Sequence, residues 1–574
     1  MKTRTVVLMC LAYAVGSVNV SFACTSLLVT KGASVDGSVM ITYTADSAGF
    51  YPRLKIMPAE EHPDGSFIEV PATKDRPAGK IKQTAKTYHV VGVEWDADPD
   101  AHGGFWTRQG IINEHQLAIT ETTFGGRKEL ENPQGLINYP MLITFALQRA
   151  KTAREAIDVM VALVEDYGYN DGGETLSIAD KEEAWVFEIV GTGPKEPGTE
   201  QSAVPGQAVW VAKKVPDGEI SVHANQARIG EIPDTPDRDN CFYSDNILSF
   251  AIEKGWYDPA SSVPFRFNYA YDEITAKSKR VCETRVWSIF RRAAPSQNFS
   301  PDYHRGVPDA QPYPWSIKPD KKLSVADVMA LKRDHYEGTE FDMTQGIDAG
   351  PYGLPLRWRP LYWKVEGDEN EYAWERPIST QQTGFAVVTQ SRAHLPDPVG
   401  GVAWYCVDDT YTSCYFPLYC CITEVPKPYA TGSIKEFSWD SAWWVTNLVA
   451  NYAYLKFDRI VPEIIRTQQL IETLMFSRQS QFEEIAVAMI KDDEEYPPPP
   501  GGKTIQQRGT EFSVELGELV FRSWQGLATK IFTKFNDGYI RGADDRYPRE
   551  GNPYPDEWLR RVVEERPEQF KLPK

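Results

Sequence analysis

Hydrophobic and polar residues cluster in short β-rich runs over the first part of the chain. Residues 25–30 and 39–44 are two such runs, and the turn pair Asp36-Gly37 between them predicts a hairpin. Further strands are predicted at residues 89–94, 116–122, 175–178, 185–190 and 208–213. The pattern therefore predicts a protein rich in strands that begins with a hairpin.

Helical spacing appears between these strands and again in the last third. Thr152 with Glu155 three residues later predicts a helix start with a capping box. Two apolar stripes predict later helices that pack on the first part: Trp444, Leu448, Tyr452 and Leu455, and then Leu516, Val520, Trp524, Leu527, Ile531 and Phe535. An acidic and proline-rich run at 492–502 predicts an extended linker between them. Strands, helices and more strands favour an α+β sandwich.

Composition limits the classes of partner. The chain has 574 residues, 42% of them hydrophobic and 12% aromatic, which is typical of a folded globular protein. Its formal net charge is -19 at pH 7, so it is a poor ligand for polyanions. We therefore expect no nucleic-acid partner.

The N-terminus has the pattern of a signal peptide. Lys2 and Arg4 precede an apolar run at 6–15, and small residues then lead to Ala23. The run is shorter than the ~20 residues of a membrane-spanning helix, and no later stretch is long enough to cross a bilayer. We expect signal peptidase to remove residues 1–23, and the mature protein to be exported to the periplasm or the extracellular space.

Cleavage at this point would make Cys24 the first residue of the mature chain. A thiol of pKa ~8.5 and an α-amine of pKa ~8 are close enough for one to take the proton of the other near neutral pH. An N-terminal cysteine can therefore act as a nucleophile with its own amine as the base.

Two other interpretations of Cys24 stay open on this pattern. Cys24 could carry the lipid of a bacterial lipoprotein, although Ser21 stands where Leu or Val is expected and a predicted strand follows in place of a flexible tether. It could also be a disulfide partner in an exported protein. The sequence does not pair the remaining mature cysteines, which are Cys241, Cys282, Cys406, Cys414, Cys420 and Cys421. Their spacing and that of the histidines indicate neither a metal site nor a cofactor.

Ordered motifs over nearly the whole mature chain resemble the dipeptidase A and secernin-like cysteine peptidases of the N-terminal nucleophile hydrolase superfamily. The motifs are Cys24-Thr25-Ser26-Leu27-Leu28-Val29, Asp36-Gly37-Ser38, Asp46, Asn113-Glu114-His115, Val222-His223-Ala224-Asn225-Gln226-Ala227-Arg228-Ile229, Asn240-Cys241-Phe242-Tyr243-Ser244-Asp245, Arg285-Val286-Trp287, Asp348-Ala349-Gly350-Pro351-Tyr352-Gly353, Trp404-Tyr405, Asp408-Asp409-Thr410-Tyr411 and Asn536-Asp537-Gly538-Tyr539. Each motif is weak alone, but their order is specific.

The resemblance implies a four-layer αββα fold and hydrolysis of dipeptides or short peptides with free N-termini. It implies a hydrolase domain at 24–430, with a helical region at 431–574 that packs on it as part of the same family unit. It also implies supporting roles: Asp46 beside the nucleophilic amine, Asn225 at the oxyanion or the amine, and Arg285 as electrostatic support.

The chain departs from the superfamily pattern at two places. Tyr43 stands where many members have an arginine, and residues 120–123 contain no Asn where bile-salt and penicillin V acylases have one. The sequence thus predicts an exported cysteine dipeptidase acting through Cys24. An N-acyl amide hydrolase of the bile-salt or penicillin V acylase type and a non-catalytic lipoprotein are the alternatives, and the oligomeric state is not indicated.

Overall fold

The computed structural model describes residues 24–47, 50–73, 76–95, 108–194, 208–495, 502–542 and 553–573. The predicted signal peptide, residues 1–23, lies outside the described residues. Residues 496–501 of the predicted linker also lie outside them.

In the described part of the chain, fifteen strands form two large antiparallel sheets. They are β1 Ser26–Val29, β2 Val39–Asp46, β3 Pro52–Met57, β4 Val90–Trp95, β5 Arg108–Asn113, β6 Ala118–Gly125, β7 Gly173–Ala179, β8 Ala184–Gly191, β9 Ala208–Lys214, β10 Ile220–His223, β11 Cys241–Tyr243, β12 Ser316–Ile317, β13 Thr383–Ser391, β14 Val402–Val407 and β15 Phe416–Tyr419. The seven-stranded sheet has the order β12-β10-β1-β2-β13-β14-β15, and the eight-stranded sheet the order β11-β9-β8-β7-β6-β5-β4-β3. Three two-stranded ribbons pair Glu60–Glu61 with Lys86–Thr87, Phe67–Val70 with Gly79–Lys82, and Tyr362–Lys364 with Glu371–Ala373.

The longer helices are α1 Tyr139–Arg149, α2 Ala153–Tyr167, α3 Ile247–Glu253, α4 Thr284–Ala293, α5 Val325–Leu331, α6 Ala442–Ala453, α7 Phe457–Glu495, α8 Ile505–Lys534 and α9 Asp556–Glu565. Shorter helical segments lie at Lys31–Ala33, Lys128–Leu130, Phe267–Tyr271, Ala276–Ser278, Lys279–Glu283, Pro295–Gln297, Asp302–Arg305, Ile347–Ala349, Asp397–Gly400, Lys427–Tyr429, Asn536–Gly538 and Pro567–Phe570. Antiparallel sheets combined with these helices confirm the predicted α+β class.

The two sheets contact each other through β2, which packs against β6, β7 and β8. Helices α1 and α2 contact the eight-stranded sheet, whereas α4, α5, α6, α7 and α8 contact the seven-stranded sheet. One apolar cluster is shared by both sheets and the C-terminal helices, and a second lies between the eight-stranded sheet and α1 and α2. The apolar faces of both sheets are therefore buried.

The predicted N-terminal hairpin is confirmed. Strands β1 and β2 pair antiparallel, with Leu28 opposite Ile41. In the connection, Gly37 has φ +74°, a conformation that glycine adopts without strain. Asp36 accepts a hydrogen bond from the backbone N–H of Ser38 at 3.1 Å, which fixes the turn.

The predicted start of α2 is also confirmed, with one difference. The backbone N–H of Glu155 donates to Thr152 Oγ1 at 3.3 Å, as an N-cap requires. The Glu155 carboxylate, however, accepts from the N–H of Lys151 at 2.7 Å and not from that of Thr152. The reciprocal half of the capping box is therefore displaced by one residue.

The two C-terminal stripes have different outcomes. The whole stripe from Leu516 to Phe535 is buried along α8, as predicted. The stripe on α6 is confirmed only in part: Leu448 and Tyr452 are half-buried against the core, whereas Leu455 follows the helix and is 63% exposed. The fully buried face of α6 consists of Ala442, Val445, Thr446, Val449, Ala450 and Ala453. Small residues on this face allow close packing of α6 on α8. The larger apolar residues have the same helical spacing on the adjacent face, so the sequence pattern indicated that face instead.

Every cysteine among the described residues is a free thiol, including the neighbours Cys420 and Cys421, whose sulfurs are 3.7 Å apart. In the described part of the chain, no helix combines the length and the hydrophobicity needed to cross a membrane.

Candidate active site

The register of the central strands places Cys24 opposite Asn225. Strands β1 and β10 pair antiparallel with Ser26 opposite His223. Two residues further along each strand bring Cys24 and Asn225 to the same end of the sheet. Cys24 is 2% exposed there.

Asn225 holds the backbone nitrogen of Cys24. The N–H of Cys24 donates to Asn225 Oδ1 at 2.8 Å, and Asn225 Nδ2 donates to the carbonyl of Thr123 at 2.7 Å. Asn225 has φ +58°, in the left-handed region that Asn tolerates better than most residues. The amide is thus oriented with its oxygen toward Cys24.

Arg285 is buried on α4 and fixes the two residues that precede β1. Its Nη1 donates to the carbonyl of Cys24 at 2.6 Å and to Thr25 Oγ1 at 2.9 Å. Its Nη2 donates to the carbonyl of Ala224 and to Asn225 Oδ1, both at 3.1 Å, and its Nε donates to Val281. All five guanidinium N–H groups therefore have an acceptor, and the side chain is rigidly held.

Asp46 lies at the end of β2 in a buried ion pair. Its Oδ2 is 2.9 Å from Arg376 Nη2, and its Oδ1 accepts a hydrogen bond from Thr383 Oγ1 at 2.7 Å. Burial raises the pKa of Asp46, while the charge of Arg376 opposes this rise. Arg376 Nη1 also donates to Asn225 Oδ1 at 3.4 Å, so the pair is connected to the group that holds Cys24.

A buried lysine completes these surroundings. Lys332 is 0% exposed and its ammonium donates to the carbonyl of Thr25. Burial lowers the pKa of Lys332 to about 7, and burial together with the charge of Arg285 lowers that of Arg376 to about 9. We call Asp46, Asn225, Arg285, Lys332 and Arg376 the amine side of Cys24.

Acidic and phenolic groups surround the sulfur. Cys24 Sγ is 3.7 Å from Glu121 Oε1 and 3.8 Å from the hydroxyl of Tyr43, and that hydroxyl donates to the same Glu121 oxygen. Glu174 lies on the neighbouring strand and interacts with Glu121. We call Tyr43, Glu121 and Glu174 the sulfur side.

The buried surroundings of Cys24 keep its thiol protonated. Burial raises the pKa of Cys24, and the charges of Glu121 and Asp46 raise it further. A hydrogen bond from the backbone of Asp46 acts in the opposite direction. Cys24 therefore needs a base or a nearby positive charge to become a thiolate.

The structure brings the four residues predicted from sequence into one cluster. Asn225 and Arg285 bond directly to Cys24, and Asp46 reaches it through its backbone and through Arg376. The sequence did not indicate Glu121, Glu174, Lys332 or Arg376. A glutamate within the predicted strand 116–122 was the available signal for Glu121, since a charge within a β-rich run is unusual unless it is paired or functional.

Among the described residues, no three or more His, Cys, Asp or Glu side chains are placed as metal ligands. Residues 23–470 match the model of peptidase family C69. The chain belongs to peptidase family C69. This is a cysteine peptidase family, so the protein is a peptide-bond hydrolase.

Relatives of this C69 member agree with that assignment. A probable dipeptidase of Latilactobacillus sakei is 29% identical over 67% of this chain and 71% of its own. A probable dipeptidase of Salmonella dublin is 27% identical, covering 69% and 81%. A dipeptidase of Bifidobacterium longum is 25% identical, covering 75% and 76%.

Proposed function

We propose that the protein is an exported cysteine dipeptidase that matures by loss of residues 1–23 and then hydrolyses peptides with the thiol of Cys24. The single observation on which this rests most is the contact between the Cys24 nitrogen and Asn225 Oδ1 at 2.8 Å. The names of the relatives from Latilactobacillus sakei and Bifidobacterium longum support dipeptides as substrates.

The fold supports the same proposal at a coarser scale. Helices α1 and α2 contact one sheet, the two sheets contact each other, and the later helices contact the other sheet. This order supports a four-layer αββα sandwich of the N-terminal nucleophile type. Helix α8 packs on β15, which supports residues 431–574 as an integral part of the 24–430 domain.

Cleavage before Cys24 changes the chemistry of a nitrogen that is already in position. In the full-length chain this nitrogen is a peptide amide, and cleavage after Ala23 converts it into a primary amine. The amine would keep Asn225 Oδ1 as the acceptor of one N–H and would direct its lone pair to the thiol of the same residue.

The reaction then follows from these positions. The amine takes the thiol proton, and the sulfur attacks the scissile carbonyl carbon. The amine returns the proton to the departing nitrogen, which releases the C-terminal product and leaves a thioester. Water, deprotonated by the same amine, then hydrolyses the thioester and restores the thiol.

The roles on the amine side differ in kind. The amide nitrogen of Asn225 is already bonded to Thr123, so we assign Asn225 to the amine and leave the oxyanion to backbone N–H groups. Asp46 and Arg376 form an ion pair beside Asn225. Many superfamily members have an arginine at the position of Tyr43, and we assign to Arg376 the positive charge that such an arginine would supply.

The direct test is Cys24→Ala in the exported protein, assayed with alanyl-alanine. We expect loss of hydrolysis to the background rate with the fold retained by circular dichroism. Cys241→Ala, which removes another buried thiol, is the matched control and is expected to keep full activity. Dipeptide hydrolysis by purified Cys24→Ala would refute the proposal.

A further inference from the structure

One fully buried lysine lies beside the candidate nucleophile. Lys332 follows α5, and among the lysines in the described part of the chain it alone is buried, with 0% of its surface exposed. Its backbone N–H donates to the carbonyl of Val328, and its own carbonyl accepts a hydrogen bond from Thr410 Oγ1 at 2.7 Å. The main chain is therefore held from both sides, and the side chain extends to the residue that follows Cys24.

The ammonium group of Lys332 has no acidic partner. It donates to the carbonyl of Thr25, and it forms no ion pair with a carboxylate of the described residues. Lysines are almost never fully buried unless they are paired, because a buried charge without a counter-charge is costly to the fold. An unpaired buried ammonium beside a nucleophile therefore points to a role in the reaction.

Positive charge exceeds negative charge on the amine side. Asn225 Oδ1, which accepts the N–H of Cys24, also accepts from Arg285 Nη2 at 3.1 Å and from Arg376 Nη1 at 3.4 Å. Asp46 is the carboxylate of this side, and it is already paired with Arg376. Counting the lysine, three cations lie around one carboxylate.

Lys332 is the cation of this side that can lose its charge near neutral pH. Burial lowers its pKa to about 7, and the charge of Arg285 lowers it as well, while that of Asp46 acts in the opposite direction. The titratable and charged groups that face Lys332 are Cys24, Asp46 on β2, His223 on β10, Arg285 on α4 and Cys406 on β14. Cys24 is also faced by Tyr43, Glu121, Tyr139 and Arg376.

Two of these groups are uncharged at neutral pH. Burial lowers the pKa of His223 to about 3 and raises that of Cys406 to about 12. Arginines keep their charge at neutral pH. Lys332 carries its own charge below about pH 7, which is the range in which an ordinary α-amine is protonated.

The proposed mechanism needs an α-amine without its extra proton. An ordinary α-amine has a pKa of about 8, so most of it is protonated at pH 7 and cannot take the proton of the thiol. Neighbouring positive charges favour the neutral form of an amine. The surplus of positive charge on the amine side therefore favours the form that acts as a base.

We propose that Lys332 is a positioning residue whose positive charge keeps the α-amine of mature Cys24 unprotonated, so that this amine serves as a base at and below neutral pH. The inference rests on the proposed function, because it concerns the base that the mechanism assigns to Cys24. Of the two amines, that of Cys24 releases its proton first, since two guanidinium groups share its acceptor. The charge of Asp46 favours the protonated form of Lys332.

The test is the pH dependence of kcat/KM for alanyl-alanine in three variants. Lys332→Met removes the charge and the hydrogen bond, Lys332→Gln removes the charge but keeps a donor for the carbonyl of Thr25, and Lys332→Arg keeps the charge. In both neutral variants we expect the acid limb, where activity rises with pH, to move up by about one pH unit. This shift lowers kcat/KM about tenfold at pH 6 and leaves the plateau at higher pH nearly unchanged.

Lys332→Arg should restore the acid limb to its position in the wild type. Lys321→Met is the matched control for loss of a lysine charge, since the side chain of Lys321 is 71% exposed, and its pH profile should equal that of the wild type. Circular dichroism checks the fold of each variant. If Lys332→Met does not fold, Lys332→Gln provides the same comparison.

Three results would overturn the inference. An acid limb that stays in place in folded Lys332→Gln would mean that the charge does not act on the amine. An equal fall of kcat/KM at every pH would assign Lys332 to the structure alone. A limb displaced as far in Lys332→Arg as in the neutral variants would assign the effect to the shape of the side chain. Failure of the proposed function is separate, because it appears as activity in Cys24→Ala.

Discussion

The amine side and the sulfur side of Cys24 are both buried, yet their polar groups are paired in different ways. On the amine side, Arg285 uses all five of its N–H groups, and Asp46 is paired with Arg376. On the sulfur side, Glu121 and Glu174 hydrogen-bond each other, and neither forms an ion pair with a cationic side chain of the described residues. The first arrangement holds atoms in place, and the second places acidic groups beside the sulfur.

His223 connects the two sides. It lies on β10, two residues before Asn225, and its Nδ1 and Nε2 are 2.6 and 2.7 Å from the hydroxyls of Thr122 on β6 and Ser177 on β7. The strand that leads into Asn225 is thereby bonded to the two strands that carry Glu121 and Glu174. The geometry on one side depends on that of the other.

The largest effect is expected from breaking the ion pair of the amine side. Arg376→Ala leaves Asp46 buried without its closest cation, which should lower the free energy of unfolding by about 3 kcal/mol. Urea denaturation measures this loss, and Arg357→Ala, which removes the partner of the partly exposed Asp348, is the comparison and should cost less. A loss below about 0.5 kcal/mol would mean that the Asp46–Arg376 ion pair contributes no more to stability than an exposed ion pair does.

Asn225→Ala should lower kcat about 10²-fold with little change in KM, because the amine loses the acceptor that positions it. Asn298→Ala is the control, since Asn298 also has a positive φ but ends the short helix Pro295–Gln297 and makes no contact with Cys24 among the described residues. An unchanged kcat in Asn225→Ala would mean that the amine needs no side-chain acceptor.

The connection between the two sides should weaken in acid. Burial lowers the pKa of His223 to about 3, so below pH 6.5 the unfolded chain gains a proton there that the folded chain does not. Between pH 7 and pH 5 this proton uptake lowers the free energy of unfolding of wild type by about 2 kcal/mol. His223→Gln has no such group and should not show this loss. Urea denaturation of wild type and His223→Gln at pH 7 and pH 5 should show that their free energies of unfolding differ less at pH 5. The same difference at both pH values would contradict a neutral His223 in the folded protein.

The smallest effect is expected for Tyr43→Phe. The hydroxyl donates to Glu121, and its loss should lower kcat/KM for a free dipeptide about tenfold. Steady-state kinetics with alanyl-alanine measures it. Tyr51→Phe, a hydroxyl bonded to Thr431, is the control away from Cys24, and equal kinetics of Tyr43→Phe and wild type would exclude the hydroxyl from the site.

The sequence predicted the amine side much better than the sulfur side. Cys24, Asp46, Asn225 and Arg285 stand in motifs with a recognisable order, and the hairpin follows from local turn chemistry at Gly37. Glu121 and Glu174 have no motif, and they become neighbours only through the register of β6 and β7. Lys332 and Arg376 reach the site from segments far along the chain, which no local pattern encodes.

Helix α6 shows a second limit of pattern reasoning. Trp444 and Leu448 have helical spacing and large apolar surfaces, yet Val445 and Val449 form the buried face. Large apolar residues on the adjacent face of α6 have the same helical spacing as the buried residues. Only the tertiary packing of α6 against α8 determines which of the two faces is buried. The predicted bounds of 24–430 and 431–574 remain a proposal.

The central claim is that Cys24 is the first residue and the nucleophile of the active enzyme. Peptide mapping by mass spectrometry after reaction of the active protein with iodoacetamide, with and without alanyl-alanine, tests it most directly. The account predicts an N-terminal peptide that begins at Cys24, alkylated on sulfur in step with loss of activity and protected by the dipeptide. An active chain that retains residues before Cys24, a lipid mass on Cys24, or inactivation without its modification would contradict the account.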